Sequence, residues 1–474
     1  MFFKHVYDET LAQGSYVIGC QATGEAIVID AQRDIDVYLE IAKKNNLTIK
    51  YITETHIHAD YLCGSRELAT VTGAEMYLSD EGGEGWLYEF AHKGLKDGDV
   101  IKVGNLTLDV MHTPGHTPES ISFILTDHPA SSQPVMAFTG DFVFVGDIGR
   151  PDLLEEAAGI VGTKRIGAEQ MYDSIQRFAK LPDHIQVWPA HGAGSACGKS
   201  LGAVPSSTIG YEKISNWAFQ YKNDKEGFID YLLMDQPEPP RYFAMMKYLN
   251  KVDRPLRVQV PQIPQLTTNQ FLTAFNNGLK VIDTREKEDY LQLHIPNTIN
   301  ITGNKSFSTW CGWHLDYQEQ FVLICKTEKI EELTRKLMRV GLDTNMYGFI
   351  TESQMIEVSS ELGFISADIV TAEEVKDKLN NNNTQILDVR NDVEFKSGHI
   401  ANATHVFVGN LLKNLDKISK SKEVIIYCHS GQRAANAYSI LAKAGFNNLK
   451  VFVGGSAQWS ELGYEVKTEE VVLA

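Results

Sequence analysis

Thr55-His56-Ile57-His58-Ala59-Asp60-Tyr61 decides the reading of the first half of this 474-residue chain. Ahead of it runs Ile49-Lys50-Tyr51-Ile52-Thr53, an apolar stretch that reads as a buried strand, so the histidines stand where a strand opens into a loop. Three later pieces repeat the arrangement: Thr113-Pro114-Gly115-His116-Thr117, Phe138-Thr139-Gly140-Asp141 and Trp188-Pro189-Ala190-His191-Gly192. Each follows an apolar run, at Leu106 to Val110, Val135 to Phe138 and Ile185 to Trp188. Four strand ends therefore present His and Asp side chains to one place, the donor set of a metal centre.

Composition narrows the remaining possibilities. With 43% hydrophobic and 22% charged residues the chain is of globular type, and its length suggests about three domains. A net charge of −17 argues against nonspecific binding to nucleic acid or anionic lipid, so an anionic substrate has to be drawn by a local patch. The N-terminus, Met1 to Asp8, shows no secretory pattern and no later run approaches membrane-spanning length; a cytoplasmic protein with no membrane partner is expected. Six scattered cysteines without a CxxC read as free thiols in a reducing compartment.

Up to about Asp235, short apolar strands alternate with helices. Strands are expected at Tyr16–Ile18, Ala26–Ile29, Ile49–Thr53, Leu106–Val110, Ile121–Leu125, Val135–Phe138 and Ile185–Trp188. Helices are expected at Asp34–Lys44, Tyr61–Thr70 and Ala168–Lys180. An α/β chain opening with an αββα sandwich over residues 1–235 fits this pattern. Gln236-Pro237-Glu238-Pro239-Pro240 and the prolines at 255, 261 and 264 mark a linker over 236–265, with a short helix at Tyr242–Leu249.

Beyond the linker the chain repeats itself. Val281-Ile282-Asp283-Thr284-Arg285 matches Ile386-Leu387-Asp388-Val389-Arg390, and the same interval leads on to His294-Ile295 and His399-Ile400. Phe321 to Cys325 matches Val424 to Cys428. Two copies of one α/β domain are expected, over 266–359 and 366–474.

The first motifs resemble those of the metallo-β-lactamase fold. Asp-x-Arg, Gly398-His399-Ile400, the Cys428 loop and Gly454-Gly455-Ser456-Ala457-Gln458-Trp459 resemble the rhodanese family. In that order they are similar to bacterial fusions of persulfide dioxygenase with rhodanese. The resemblance implies one Fe2+ per chain on His56, His116 and Asp141, with His58, Asp60 and His191 orienting ligands or moving protons. A zinc hydrolase of glyoxalase II type is the alternative, and it would recruit His58. Tyr61 stands where the two-metal hydrolase motif has a histidine, and a neutral phenol is a poor substitute. Arg150, in Gly149-Arg150-Pro151-Asp152, is a candidate for binding the carrier anion, against a loop ion pair with Asp152. Cys197, in the glycine-rich run 192–199, reads equally as a persulfide holder near the metal or as an inert packed residue. His112, Cys20 and Cys63 read as structural.

Tyr427-Cys428-His429-Ser430-Gly431-Gln432-Arg433 lies between a strand and a helix expected at Ala434 to Ala444. Successive amides with a helix start behind them favour a thiolate and then a persulfide. Cys428 is the expected nucleophile, with Arg433 beside it and His429, Ser430, Gly431 and Gln432 binding substrate. In the middle copy the matching run is Cys325-Lys326-Thr327-Glu328-Lys329-Ile330. There a glutamate replaces the glycine and isoleucine the arginine, so this copy is expected to be inactive. The whole reading is an enzyme of sulfide detoxification: a low-molecular-weight thiol persulfide and O2 give sulfite, and sulfur transfer through Cys428 gives thiosulfate. A metal-dependent thioesterase with rhodanese sulfur carriers, and a persulfide-sensing binding protein, are the other two readings. A homo-oligomer is expected.

Overall fold

The computed structural model describes residues 1–153, 155, 162–195, 197–199 and 201–468. The end of the second repeat, 469–474, and Ala196 of the glycine-rich loop lie outside them. Two compact units emerge: Met1–Val260 with Arg335–Gly341, and Pro261–Thr334 with Leu342–Ala474.

The first unit holds two six-stranded sheets, each with its strands in chain order. One runs Phe2–Asp8, Gln13–Cys20, Glu25–Ile29, Thr48–Thr53, Glu75–Ser79 and Lys93–Leu95. The other runs Val100–Val103, Leu106–His112, Ile121–Asp127, Met136–Gly140, Gln186–Pro189 and Ser207–Thr208. Strand alternation explains the layers, since successive side chains point to opposite faces. Ile18, Ile27 and Ile29 meet Leu108, Val110, Phe123 and Phe138 between the sheets. Their neighbours Val17, Ala26 and Val28 pack outward with Tyr38, Ala42 and Leu68, while Ala137 and Val187 pack outward with Met171, Ile175 and Phe178. Both faces are covered, so the strands read as unbroken apolar runs. This is the expected αββα sandwich.

Some boundaries differ from expectation. The second helix is Ser65–Thr72, not Tyr61–Thr70, because Cys63 bridges Gln32 and the Gly64 N–H donates to the Ala31 carbonyl at 2.8 Å. The chain from Tyr61 to Gly64 is thereby held as a loop. The helix expected at Ala168–Lys180 spans Thr163–Phe178.

The proline-rich stretch also differs from a linker, since the first unit continues to Val260. Within it lies the helix Phe243–Lys251, whose Asn250 donates to the carbonyls of His58 and Tyr61 at 2.8 and 2.7 Å. Arg254 then donates to buried Glu67 at 2.6 Å and to the Cys63 carbonyl at 2.7 Å. Proline content signals the missing backbone donors, but these side chains supply partners to the metal-motif loop and tie the segment down.

In the second unit the two repeats each carry a parallel sheet. In the middle copy Lys280–Asp283 lies between Ile299–Asn300 and Phe321–Ile324, with Met346–Ile350 outside the latter. In the last copy the order is Asp368–Ile369, Leu449–Phe452, Glu423–Tyr427, Thr384–Asp388, Thr404–His405. Asp388 and Arg390 form a buried fork, with Arg390 Nη2 2.6 Å from Asp388 Oδ2, and Asp283 with Arg285 repeats it at the same distance. The shared Asp-x-Arg motif is therefore scaffold. His399 is likewise structural, stacked on Phe395 at 3.8 Å between ring centres.

Candidate metal centre and sulfur loop

His56 leaves the first sheet just beyond Thr53, and His116 and Asp141 leave the second beyond His112 and Gly140. Their imidazole and carboxylate atoms gather within 4.8 Å of one another, with His56 Nε2 and His116 Nε2 3.9 and 3.5 Å from Asp141 Oδ2. Gly140 makes the turn possible: its φ of +54° is a left-handed conformation, and a Cβ there would stand 2.5 Å from Thr55 Oγ1.

Each ligand is aimed by its other end. His116 Nδ1 is 2.9 Å from the Arg150 carbonyl, which can only accept, so the proton sits on Nδ1 and Nε2 keeps its lone pair. His56 Nδ1 lies 3.0 Å from Thr55 Oγ1, which itself donates to Asp30 Oδ2 at 2.9 Å. Burial, assisted by His58, His116 and His191, holds His56 well below the usual histidine value, and burial also lowers His116. Both are neutral donors. His56 Nε2 and both oxygens of Asp141 are buried without a hydrogen-bond partner. Orphaned buried acceptors around one point are what a cation would satisfy, so these residues fit a bound metal.

His58 is placed differently. Its Nε2 is 3.1 Å from Asp30 Oδ1, and although burial opposes the charge, Asp30 raises the imidazole to about 9. Tyr61 packs 4.6 Å from the His58 ring and sends its hydroxyl to the Asp30 carbonyl at 3.1 Å. Asp60 and His191 lie beside the cluster, with His191 Nε2 3.2 Å from Asp60 Oδ2 and 3.3 Å from Asp141 Oδ1. Burial opposes charge on His191 too, but Asp141 and Asp60 raise it well above the usual value. Cys197 joins this second group, within 4.8 Å of Asp60 and His191. Burial first, then Asp141, pushes its thiol up to about 12. A cleft of about 380 Å³, lined by His5, Tyr7, Pro189, Val204 and Pro205 among others, reaches His191.

Arg150 takes the loop arrangement. It is 1% exposed, and its Nε and Nη2 donate to Asp152 at 2.8 and 2.6 Å while Nη1 donates to the Pro237 carbonyl at 2.5 Å. These bonds fix the residue whose carbonyl faces His116 Nδ1. His112 is structural, with Nε2 2.8 Å from the Pro118 carbonyl.

In the last copy the Cys428 sulfur accepts the Gly431 N–H at 3.1 Å. Gly431, at φ +89°, caps the helix Gln432–Lys443, which begins two residues earlier than expected. Ser456 N donates to the Cys428 carbonyl and Ala457 N to that of His429, at 2.8 and 3.1 Å, so the Gly-Gly motif braces the loop. His429 and Ser430 are exposed. Arg433 is forked onto Glu394 at 2.5 and 2.7 Å, and so its charge is already matched.

Asp30 went unread in the sequence, although it follows the strand Glu25–Ile29 as the other site residues follow theirs. The same strand-end signal reveals it. His5 and Tyr7 lay beyond that signal, since the first strand has only a partly buried pattern.

Comparison with known proteins now adds to the geometry. The sequence model of the metallo-beta-lactamase superfamily matches residues 10–191, and that of the rhodanese-like domain matches 267–350 and 371–462. A crystallised metallo-beta-lactamase from Staphylococcus aureus is 46% identical, covering 74% of this chain and 99% of its own, at a TM-score of 0.69. This chain belongs to the metallo-beta-lactamase superfamily. Two rhodanese-like domains follow its metallo-beta-lactamase domain, as the repeat predicts. Mitochondrial persulfide dioxygenase ETHE1 of Bos taurus is 29% identical over 40% of this chain and 68% of its own length. A probable polyketide biosynthesis zinc-dependent hydrolase, BaeB of Bacillus velezensis, is 27% identical over 44% of this chain and 84% of its own. Relatives of both chemistries thus stand near the metallo-beta-lactamase domain.

Proposed function

We propose that the chain is a bifunctional persulfide dioxygenase and sulfurtransferase. The observation that carries the first activity is the donor set: two neutral imidazoles and one carboxylate converge, while His58 is drawn to Asp30 and Tyr61 to the Asp30 carbonyl. Such a set suits ferrous iron better than a pair of zinc ions, which need a fuller second set of imidazoles. When bound by His56, His116 and Asp141, that iron supplies the redox chemistry that activates O2. Around it the chain's own groups have separate tasks. Asp60 and His191, 3.2 Å apart, can hold and pass a proton at the edge of the site. The cleft beside His5 and Tyr7 admits the carrier thiol, since the Arg150 fork is occupied by Asp152. Cys197 stands beside Asp60 and His191 with a protonated thiol, a weak nucleophile suited to packing against a persulfide.

At the sulfur loop, the Cys428 thiolate attacks the outer sulfur of a persulfide. A new S–S bond forms at Sγ, the donor's S–S bond breaks, and the carrier leaves as thiolate. Sulfite then attacks that outer sulfur, forming thiosulfate and returning Cys428 to thiolate, with no net oxidation. The Gly431 N–H supports the negative charge at each stage.

Metal content of protein purified without chelators, read beside O2 uptake on glutathione or coenzyme A persulfide, tests the first activity. One iron per chain with O2 uptake is expected, and Asp141→Asn should lose both. Two zincs per chain with thioester hydrolysis would overturn it in favour of the thioesterase.

A further inference from the structure

The middle rhodanese-like copy packs directly on the loop of the last. Gln432, in the Cys428 loop, donates to Thr302 of the middle copy at 2.5 Å. Asn436 on the following helix donates to the Asn300 carbonyl at 2.7 Å, and Asn300 N donates to Ser439 Oγ at 3.1 Å. Lys287, the first residue of the middle-copy helix Lys287–Gln292, closes the same face. A Cβ built on Gly431 would stand 3.0 Å from Lys287 Cε, so the lysine stem lies against the residue whose N–H meets the Cys428 sulfur. Adding bonded distances places the ammonium within roughly 10 Å of that sulfur.

The charge balance around the loop gives this contact its meaning. Arg433, the cation supplied by the loop itself, is forked onto Glu394 in a half-buried pair. Lys287 is paired more loosely, 2.7 Å from Glu288 on its own helix, whose side chain is 63% exposed. A pair of that kind holds its partners weakly, and the lysine can swing toward an incoming anion. In the last copy the position matching Lys287 by the repeat is Asp392, so the lysine is not part of the shared scaffold.

We infer that Lys287 of the middle domain is an electrostatic positioning residue for the Cys428 site, drawing small sulfur anions such as sulfite and persulfide to the loop. The inactive copy thereby completes the active one. The kinetic half of this inference rests on the sulfur transfer proposed above; the charge at Cys428 does not.

The test uses the full-length protein and two alkylating agents of equal size, anionic iodoacetate and neutral iodoacetamide, with Cys428 labelling followed by mass spectrometry. Lys287→Gln should lower the iodoacetate-to-iodoacetamide rate ratio at Cys428 by about 3- to 10-fold, the effect of one charge at this distance under partial screening. Lys287→Arg should restore it, and Glu288→Gln, which releases the lysine, should raise it. In the transfer assay Lys287→Gln should raise KM for sulfite by a similar factor with kcat retained. An unchanged ratio in folded Lys287→Gln protein overturns the inference. A wild-type protein that transfers no sulfur to sulfite refutes the function proposed for Cys428, while the alkylation ratio still decides on Lys287.

Discussion

The two rhodanese-like copies share a frame and differ in what they hold. Both bury an Asp-x-Arg fork with a 2.6 Å contact, and both end a central strand on a buried cysteine. In the last copy a glycine turns its N–H onto the sulfur. In the middle copy burial, followed by Glu328 and Glu352, pushes the Cys325 thiol up to about 12. The groups that hold the frame are thus separate from the groups around the cysteine.

The sharpest way to break this comparison is to exchange the fates of the two cysteines. Cys428→Ala should abolish thiosulfate formation, on the order of a thousandfold or more, because no other group supplies the nucleophile. O2 uptake should continue and the product should shift to sulfite. Cys325→Ser should leave sulfur transfer unaltered; a large loss in folded protein would show that the middle copy still carries sulfur. Cessation of O2 uptake in iron-loaded Cys428→Ala protein would reverse the assumed order of steps.

Alkylation gives the next largest effect. An unfolded-chain thiol titrates near about 8.5, so at pH 8 Cys325 should react with iodoacetamide more than about a hundredfold slower than in denaturant. The folded state keeps the Cys325 proton that the unfolded chain gives up, so this contribution is intact below about 8.5 and declines as pH rises toward the folded value. Ready labelling of Cys325 at pH 8 in native protein would erase the contrast.

The smallest expected contrast lies in the frame itself. Asp283→Asn and Asp388→Asn each leave a largely buried arginine without its charge partner. Each should cost about 3 kcal/mol in chemical denaturation of its own domain. Equal losses sharpen the view of a common frame, whereas a loss confined to the last copy would make the fork part of its chemistry.

Much of this was legible in the sequence for a definite reason. His56, His116, Asp141 and His191 all follow buried strands, and an apolar run ending on a polar ligand leaves a local mark. The repeat was visible because the Asp-x-Arg fork must recur wherever the frame recurs. Groups defined only by contacts across long separations left no such mark. The Pro237 carbonyl on Arg150 Nη1 and the Lys287 stem against Gly431 are two such contacts. The 236–265 stretch reads as a linker because the bonds of Asn250 and Arg254 to the metal-motif loop are invisible in composition.

The candidate metal donors come from both layers of the sandwich, His56 from one sheet and His116 and Asp141 from the other. An ion held by them would act as a rivet between layers, and no fragment containing one sheet alone can present the complete set. Pairing of residues some 60 to 85 positions apart would have to precede capture, so metal loading would come late in folding and reward only the finished sandwich.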